Sequence, residues 1–102
     1  MIMRVTWGKI RPGKWDEYET LWKAYAANSA TTKGLKGRWL LRDKENADAG
    51  YSISIWDSSE DFDAYSKQVV LGKDMQECFV GQYVATVCDI RGAEIDMLIA
   101  GK

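Results

Sequence analysis

The stretch GYSISIWDSSEDFDAYSK, residues 50–67, holds the side chains of this protein best suited to contact a small molecule. Ser52, Ser54 and Trp56 alternate along an extended segment and so share one of its faces. Asp57, Ser58 and Ser59 then offer side-chain oxygens to the free amides of a helix start, and Phe62 and Tyr65 follow at a helical step. If the serine face looks toward helices, two small polar side chains leave volume that aliphatic residues would otherwise fill. A gap walled by Trp56, Phe62 and Tyr65, with Trp22 and Met75 supplied by other helical segments, suits a flat aromatic ligand bearing a few polar groups. The plainer alternative is that the aromatic residues are core and the serines face water. Trp56 fits both descriptions, because one ring can close a core and wall a pocket.

Other chemistries are closed to the chain. Its 102 residues include no histidine, which removes the usual neutral-pH proton shuttle, the commonest zinc ligand and the Ser-His and Cys-His nucleophile pairs. There is no phosphate-binding glycine loop, nucleophile elbow or paired cysteine cluster, so no metal site is expected. With 14 basic against 15 acidic residues, the charge balance gives no reason to expect nucleic acid. The apolar runs are too short to cross a bilayer, and IMRVTWGKI lacks the pattern of an export signal, so a cytoplasmic protein without a membrane partner is expected. Cys78 and Cys88 have no disulfide-framework spacing and read as small reduced core residues.

The elements that must position these residues follow from periodicity. Residues 2–11 read as a first strand in which Met3, Val5 and Trp7 alternate with Arg4, Thr6 and Gly8. Pro12 and Gly13 end it, and Trp15, Tyr18, Trp22 and Tyr25 recur at three- and four-residue steps along one side of a helix, a pattern that favours core for all four. LKGRWLLRD alternates Leu35, Gly37, Trp39 and Leu41 with Lys36, Arg38, Leu40 and Arg42, the second set forming a wetter face. The turn-rich KENADAG returns the chain antiparallel into a third strand at residues 51–56. The helix carrying Phe62 and Tyr65 is interrupted near residues 69–72, a further helical turn carries Met75, Cys78 and Phe79 inward, and YVATVCDI is a fourth strand. The tail AEIDMLIAGK is ambiguous.

This β-α-β-β-α-β order is the split βαβ arrangement: an α+β, ferredoxin-like domain spanning residues 1–102, with a four-stranded antiparallel sheet and its helices on one face. Several strands are apolar on both faces, so the side away from the helices needs a cover. A second copy of the chain, packed sheet to sheet as a homodimer, is the simplest one.

The strand-one exit KIRPGKWDEYE, the junction SISIWDSSEDFDAYSK and the element order together resemble the antibiotic biosynthesis monooxygenase domain family of the dimeric α/β-barrel group. The resemblance implies an activity among cofactor-free oxygenases of quinols and polycyclic aromatics or among haem-degrading enzymes. Trp56 matches the tryptophan commonly found at this junction, and Tyr65 falls where members often place a histidine or another tryptophan. The iron-binding histidine of the haem-degrading branch would fall near Met75 and its strand-one asparagine near Thr6, so haem breakdown is disfavoured and no cofactor is expected. An oxygenase of the quinol type draws its electrons from the substrate, and the protein need only exclude water, orient the ring and stabilise an anion. Arg38 or Arg4 would do the last, although both also fit a solvated strand face, and Tyr65, or less readily Tyr51, would exchange the proton. The expected catalytic set is therefore Trp56, Tyr65 and Arg38, with Ser52, Ser54, Trp22, Phe62 and Met75 as ligand contacts. The missing histidine favours a non-catalytic dimeric protein that binds a hydrophobic small molecule or serves a partner enzyme, while the placement of Trp56 and Tyr65 favours the oxygenase.

Overall fold

Turn chemistry at the ends of each segment sets the boundaries seen in the computed structural model, which describes residues 1–69 and 72–94. Strand β1 (Ile2–Lys9) stops ahead of Pro12 and Gly13, Gly13 taking a positive φ of 81°, and helix α1 (Trp15–Asn28) begins directly after them. Strand β2 (Leu35–Arg42) follows Gly34, another positive-φ glycine at 84°. The loop to β3 (Ala49–Trp56) is tied by Asp43, whose carboxylate accepts from the amides of Glu45 and Asn46. Helix α2 (Ser59–Gln68) is capped by Ser58, whose Oγ accepts from the Asp61 amide at 3.2 Å. Asp57, which the sequence also offers as a cap, instead pairs with Lys36 across the sheet edge at 3.3 Å. A short helix α3 (Lys73–Glu77) and an edge strand β4 (Val84–Asp89) complete the order. The ambiguous tail lies, from residue 95 onward, outside the described residues.

The strands form one antiparallel sheet in the order β2-β3-β1-β4, the ferredoxin-like α+β topology the element order predicts. Register decides which side chains meet the helices. Ile2, Arg4, Thr6 and Gly8 of β1 stand opposite Trp56, Ser54, Ser52 and Gly50 of β3, and Arg38 and Leu40 of β2 stand opposite Ser54 and Ser52. The Trp22 indole on α1 donates to Ser52 Oγ at 2.9 Å, which marks this as the helix-covered side. The supposedly wetter face of β2 is thus the inner one, with Leu40 packed on the core and Arg42 stacked 5.2 Å over the Trp15 ring.

Gly8 and Gly50 face each other across β1 and β3, and the lack of side chains there lets aromatic rings rest on the backbone: Trp15 over Gly50 and Phe79 over Gly8. Trp15, Tyr18 and Phe79 meet edge to face, with ring centroids 5.6 and 5.2 Å apart, and close that end of the molecule with Ile10, Met75 and Cys78. At the opposite end of the same face Trp56 packs on Phe62 and Tyr65.

The other side of the sheet carries Met3, Val5 and Trp7, Tyr51, Ile53 and Ile55, and Trp39 and Leu41, with Trp39 38% and Leu41 42% exposed. Cys88 pairs in register with Met3 on this open side of the edge strand, so it is exposed rather than a core residue; Cys78 is buried as expected, and both thiols are free. No helix among the described residues is long and apolar enough to cross a membrane.

Candidate functional site

Between the two aromatic closures the helix-covered face carries Arg4, Thr6, Ser52 and Ser54, flanked by Arg38 and Leu40 of β2 and by Ala85 and Val87 of β4, and of the rings above it Trp22 reaches down to Ser52. The result is a cavity of about 290 Å³, close to the lower end of the about 300–1,000 Å³ typical of small-molecule sites. Its floor is Arg4, Thr6 and Ser52; α1 gives Tyr18, Trp22 and Tyr25; α2 gives Phe62, Tyr65 and Ser66; and Val69, Met75, Phe79 and Tyr83 line the remainder.

Of the residues the sequence singles out, Trp22, Ser52, Phe62, Tyr65 and Met75 meet at this cavity. Trp56, Arg38 and Ser54 do not line it. Trp56 is 1% exposed and donates its indole N–H to Ser54 Oγ at 2.9 Å, so both polar atoms are spent on each other behind the wall. Trp56 lies 5.0 Å from the Tyr65 ring and props it rather than facing a ligand. Arg38 also stands behind the wall: its guanidinium donates to Tyr65 Oη at 2.9 Å and to Ser29 Oγ, and stacks 5.0 Å over Tyr25 and 5.4 Å over Tyr65. It is therefore not the solvated strand-face residue that its alternation suggests.

The residue passed over by periodicity is Tyr25. It continues the buried stripe of α1, yet its hydroxyl is hydrogen-bonded to that of Tyr65, 40 residues away, at the cavity wall. A tyrosine rather than leucine or phenylalanine on the inner stripe of a helix is the only sequence signal, since a buried hydroxyl needs a partner. Burial, and next the Tyr65 hydroxyl, push Tyr25 above its usual range, with Arg38 and Arg4 pulling the other way. Tyr18 is likewise pushed up to about 12 by burial, with Cys78 adding to it. Both are neutral hydroxyls at neutral pH, able to donate a hydrogen bond but not to act as phenolate bases. Because Tyr65 Oη already accepts from Arg38, its own proton is directed to Tyr25 or to a cavity ligand.

Thr6 Oγ1 and Trp15 Nε1 are buried without hydrogen-bond partners, and both residues border a void of about 10 Å³ beside the main cavity. A buried hydroxyl left unpaired costs about 1–3 kcal/mol. Thr6→Val, which keeps the shape and removes the hydroxyl, is expected to raise stability in urea unfolding by about 1 kcal/mol. A drop instead would mean that a water bridges the two groups in that void.

A ferredoxin-like sheet thus holds an aromatic-walled cavity under its helices, with charge kept to Arg4 on the sheet floor and to Arg38 behind the wall. The chain belongs to the antibiotic biosynthesis monooxygenase family, which it matches over residues 1–71, the portion that supplies the floor and the Tyr25–Tyr65–Arg38 cluster. No curated protein matches it. Among solved structures it is similar to SnoaB, a cofactor-independent oxygenase from Streptomyces nogalater, with a TM-score of 0.77 at 16% identity over 90% of this chain and 94% of that one. It is similar also to an antibiotic biosynthesis monooxygenase family protein from Caulobacter crescentus (TM-score 0.75, 23% identity, 91% and 90% covered). The heme-degrader MhuD from Mycobacterium tuberculosis, whose structure holds two hemes, gives a TM-score of 0.73 at 16% identity over 92% and 99% of the chains. At these identities the likeness is one of fold.

Proposed function

We propose that this protein is a cofactor-independent monooxygenase acting on an aromatic or quinol-type small molecule held in the cavity between sheet and helices. The observation that carries the proposal is the hydrogen-bonded chain of Tyr25, Tyr65 and Arg38 at one wall of an otherwise aromatic cavity. In such a reaction a phenol with a hydrogen on its para carbon and O₂ yield a quinone and water. One oxygen atom enters the ring, the other leaves with the two hydrogens, and the substrate supplies all four electrons. The cavity excludes water and orients the ring, the Tyr65 hydroxyl donates to the substrate oxygen as charge develops there, and Arg38 behind it stabilises that charge. Oxygen uptake with a panel of quinols and hydroxynaphthalenes tests the proposal; uptake no faster than without protein, for every compound that binds, would leave it without support.

The second reading, a non-catalytic dimeric binder or accessory protein, is favoured by one observation: no carboxylate lines the cavity among the described residues and burial keeps Tyr25 protonated, so deprotonation of a bound phenol has no evident acceptor. Binding without oxygen uptake is its expected result. The free thiols of Cys78 and Cys88 suit a reducing, cytoplasmic setting for either.

We propose too that a second copy covers the open side of the sheet, where the exposed Trp7, Trp39 and Leu41 would otherwise form an apolar patch with Ile53 in water. Sedimentation at micromolar concentration is expected to give twice the 11.6 kDa chain mass, and Trp39→Glu to shift it toward the single chain. A wild-type species of 11.6 kDa would count against the dimer.

A further inference from the structure

Arg4 is the one charged side chain among the described residues that line the cavity, and the protein itself leaves it unneutralised. Its cross-strand neighbours are Ser54 on β3 and Val87 on β4, neither of them acidic. The acid closest to it in sheet register, Asp89 opposite Ile2, forms no ion pair with it, and among the described residues its guanidinium has no salt-bridge or hydrogen-bond partner. What it has is a ring: it lies 5.6 Å over Phe62, which holds the fork over the cavity floor. Arg38 differs in lying outside the cavity lining and in being hydrogen-bonded to Ser29 and Tyr65.

The protein leaves this half-buried cation on an aromatic-walled floor without a counter-charge, and the ligand is the remaining candidate to supply one. We infer that the molecule bound here is an aromatic carboxylate, its acid group held by Arg4 and its ring system lying between Trp22, Phe62 and Phe79. The inference rests on the aromatic-ligand reading above and narrows it to a class. A single planar guanidinium offers two parallel N–H donors that match the two oxygens of a carboxylate, and one positive charge balances one negative charge. A phosphate would leave a second negative charge with no other cation among the described lining residues. Thr6 and Ser52, the small residues beside Arg4, leave the fork room to accept the group edge on.

The test compares 2-naphthoate with its neutral isostere 2-naphthamide and with 2-naphthol, using calorimetric titration of the intact protein. The wild type is expected to bind naphthoate at least about tenfold more tightly than naphthamide. Arg4→Gln is expected to abolish that preference, weakening naphthoate far more than naphthamide, and Arg4→Lys to keep part of it. Equal binding of acid and amide by the wild type would overturn the inference and leave the aromatic cavity standing. A uniform loss of both ligands in both variants would also overturn it, since Arg4 would then be shaping the fold. If none of the three compounds binds, the aromatic-ligand reading falls together with the inference.

Discussion

Gly50→Ala is expected to destabilise the protein by at least about 3 kcal/mol, a large share of the 5–15 kcal/mol that holds a domain of this size together. The backbone conformation is not at issue, because Gly50 sits in an ordinary strand. The space is: a Cβ there would overlap the Leu41 carbonyl oxygen on the neighbouring strand and stand 2.6 Å from two atoms of the Trp15 indole. Neither can move cheaply. Leu41 is fixed by the β2–β3 ladder, and Trp15 is 6% exposed, edge-on to Tyr18 and capped by Arg42. Gly8→Ala, directly across the ladder, is the informative comparison. Its Cβ would stand 2.5 Å from the half-buried Phe79 ring and 3.5 Å from Tyr83 Cβ, with side chains rather than backbone nearest, so a smaller loss is expected, with a changed cavity shape. Gly72→Ala, with nothing within 4 Å, should be near neutral. Urea unfolding of the three variants measures the series, and a Gly50→Ala loss under about 1 kcal/mol would show that the Trp15 ring does not rest on the sheet as described.

The glycine pair also explains what was legible in the sequence. The alternation in β2 and β3 and the three- and four-residue aromatic steps of α1 identify elements, order and fold, because each is a local pattern read against a fixed period. Which face of β1 turns inward is not local. Met3, Val5 and Trp7 are the apolar set and would be taken for the core face, yet Arg4, Thr6 and Gly8 point at the helices. The inversion is stable because rings reaching down from α1 and from Phe79 need small residues beneath them, so the polar, small face is the one that fits. For the same reason Arg38 reads as a surface residue and proves to be the inner brace of Tyr65, and Cys88 reads as core and lies exposed. Ser52 and Tyr65 were legible as cavity residues because β3 and the start of α2 are contiguous in sequence. Tyr25 was not, because its partner comes from a different helix 40 positions on and only the folded sheet brings the two together.

Tyr65→Phe is the substitution that most directly tests the proposed catalysis. With a substrate identified by oxygen uptake, it is expected to lower kcat by about a hundredfold or more, the range seen when a positioned proton donor is removed, with KM nearly unchanged. The ring survives the substitution, so Trp56 keeps its 5.0 Å contact and the wall keeps its shape. What goes is an oxygen that accepts from Arg38 at 2.9 Å and bonds the Tyr25 hydroxyl, leaving those two groups to each other or to water at a stability cost of about 1 kcal/mol. Tyr25→Phe keeps the Arg38 to Tyr65 bond and loses only the outer partner, so its effect on kcat should be several times smaller. Arg38→Met removes the brace without touching the cavity lining, and should fall between the two. That ranking, Tyr65 before Arg38 before Tyr25, separates a hydroxyl that acts on substrate from a network that merely holds two helices to the sheet, because a structural role would lower unfolding midpoints in the same order and leave kcat untouched. A Tyr65→Phe protein that consumes oxygen at the wild-type rate would remove the hydroxyl from the chemistry and leave the cavity a binding site.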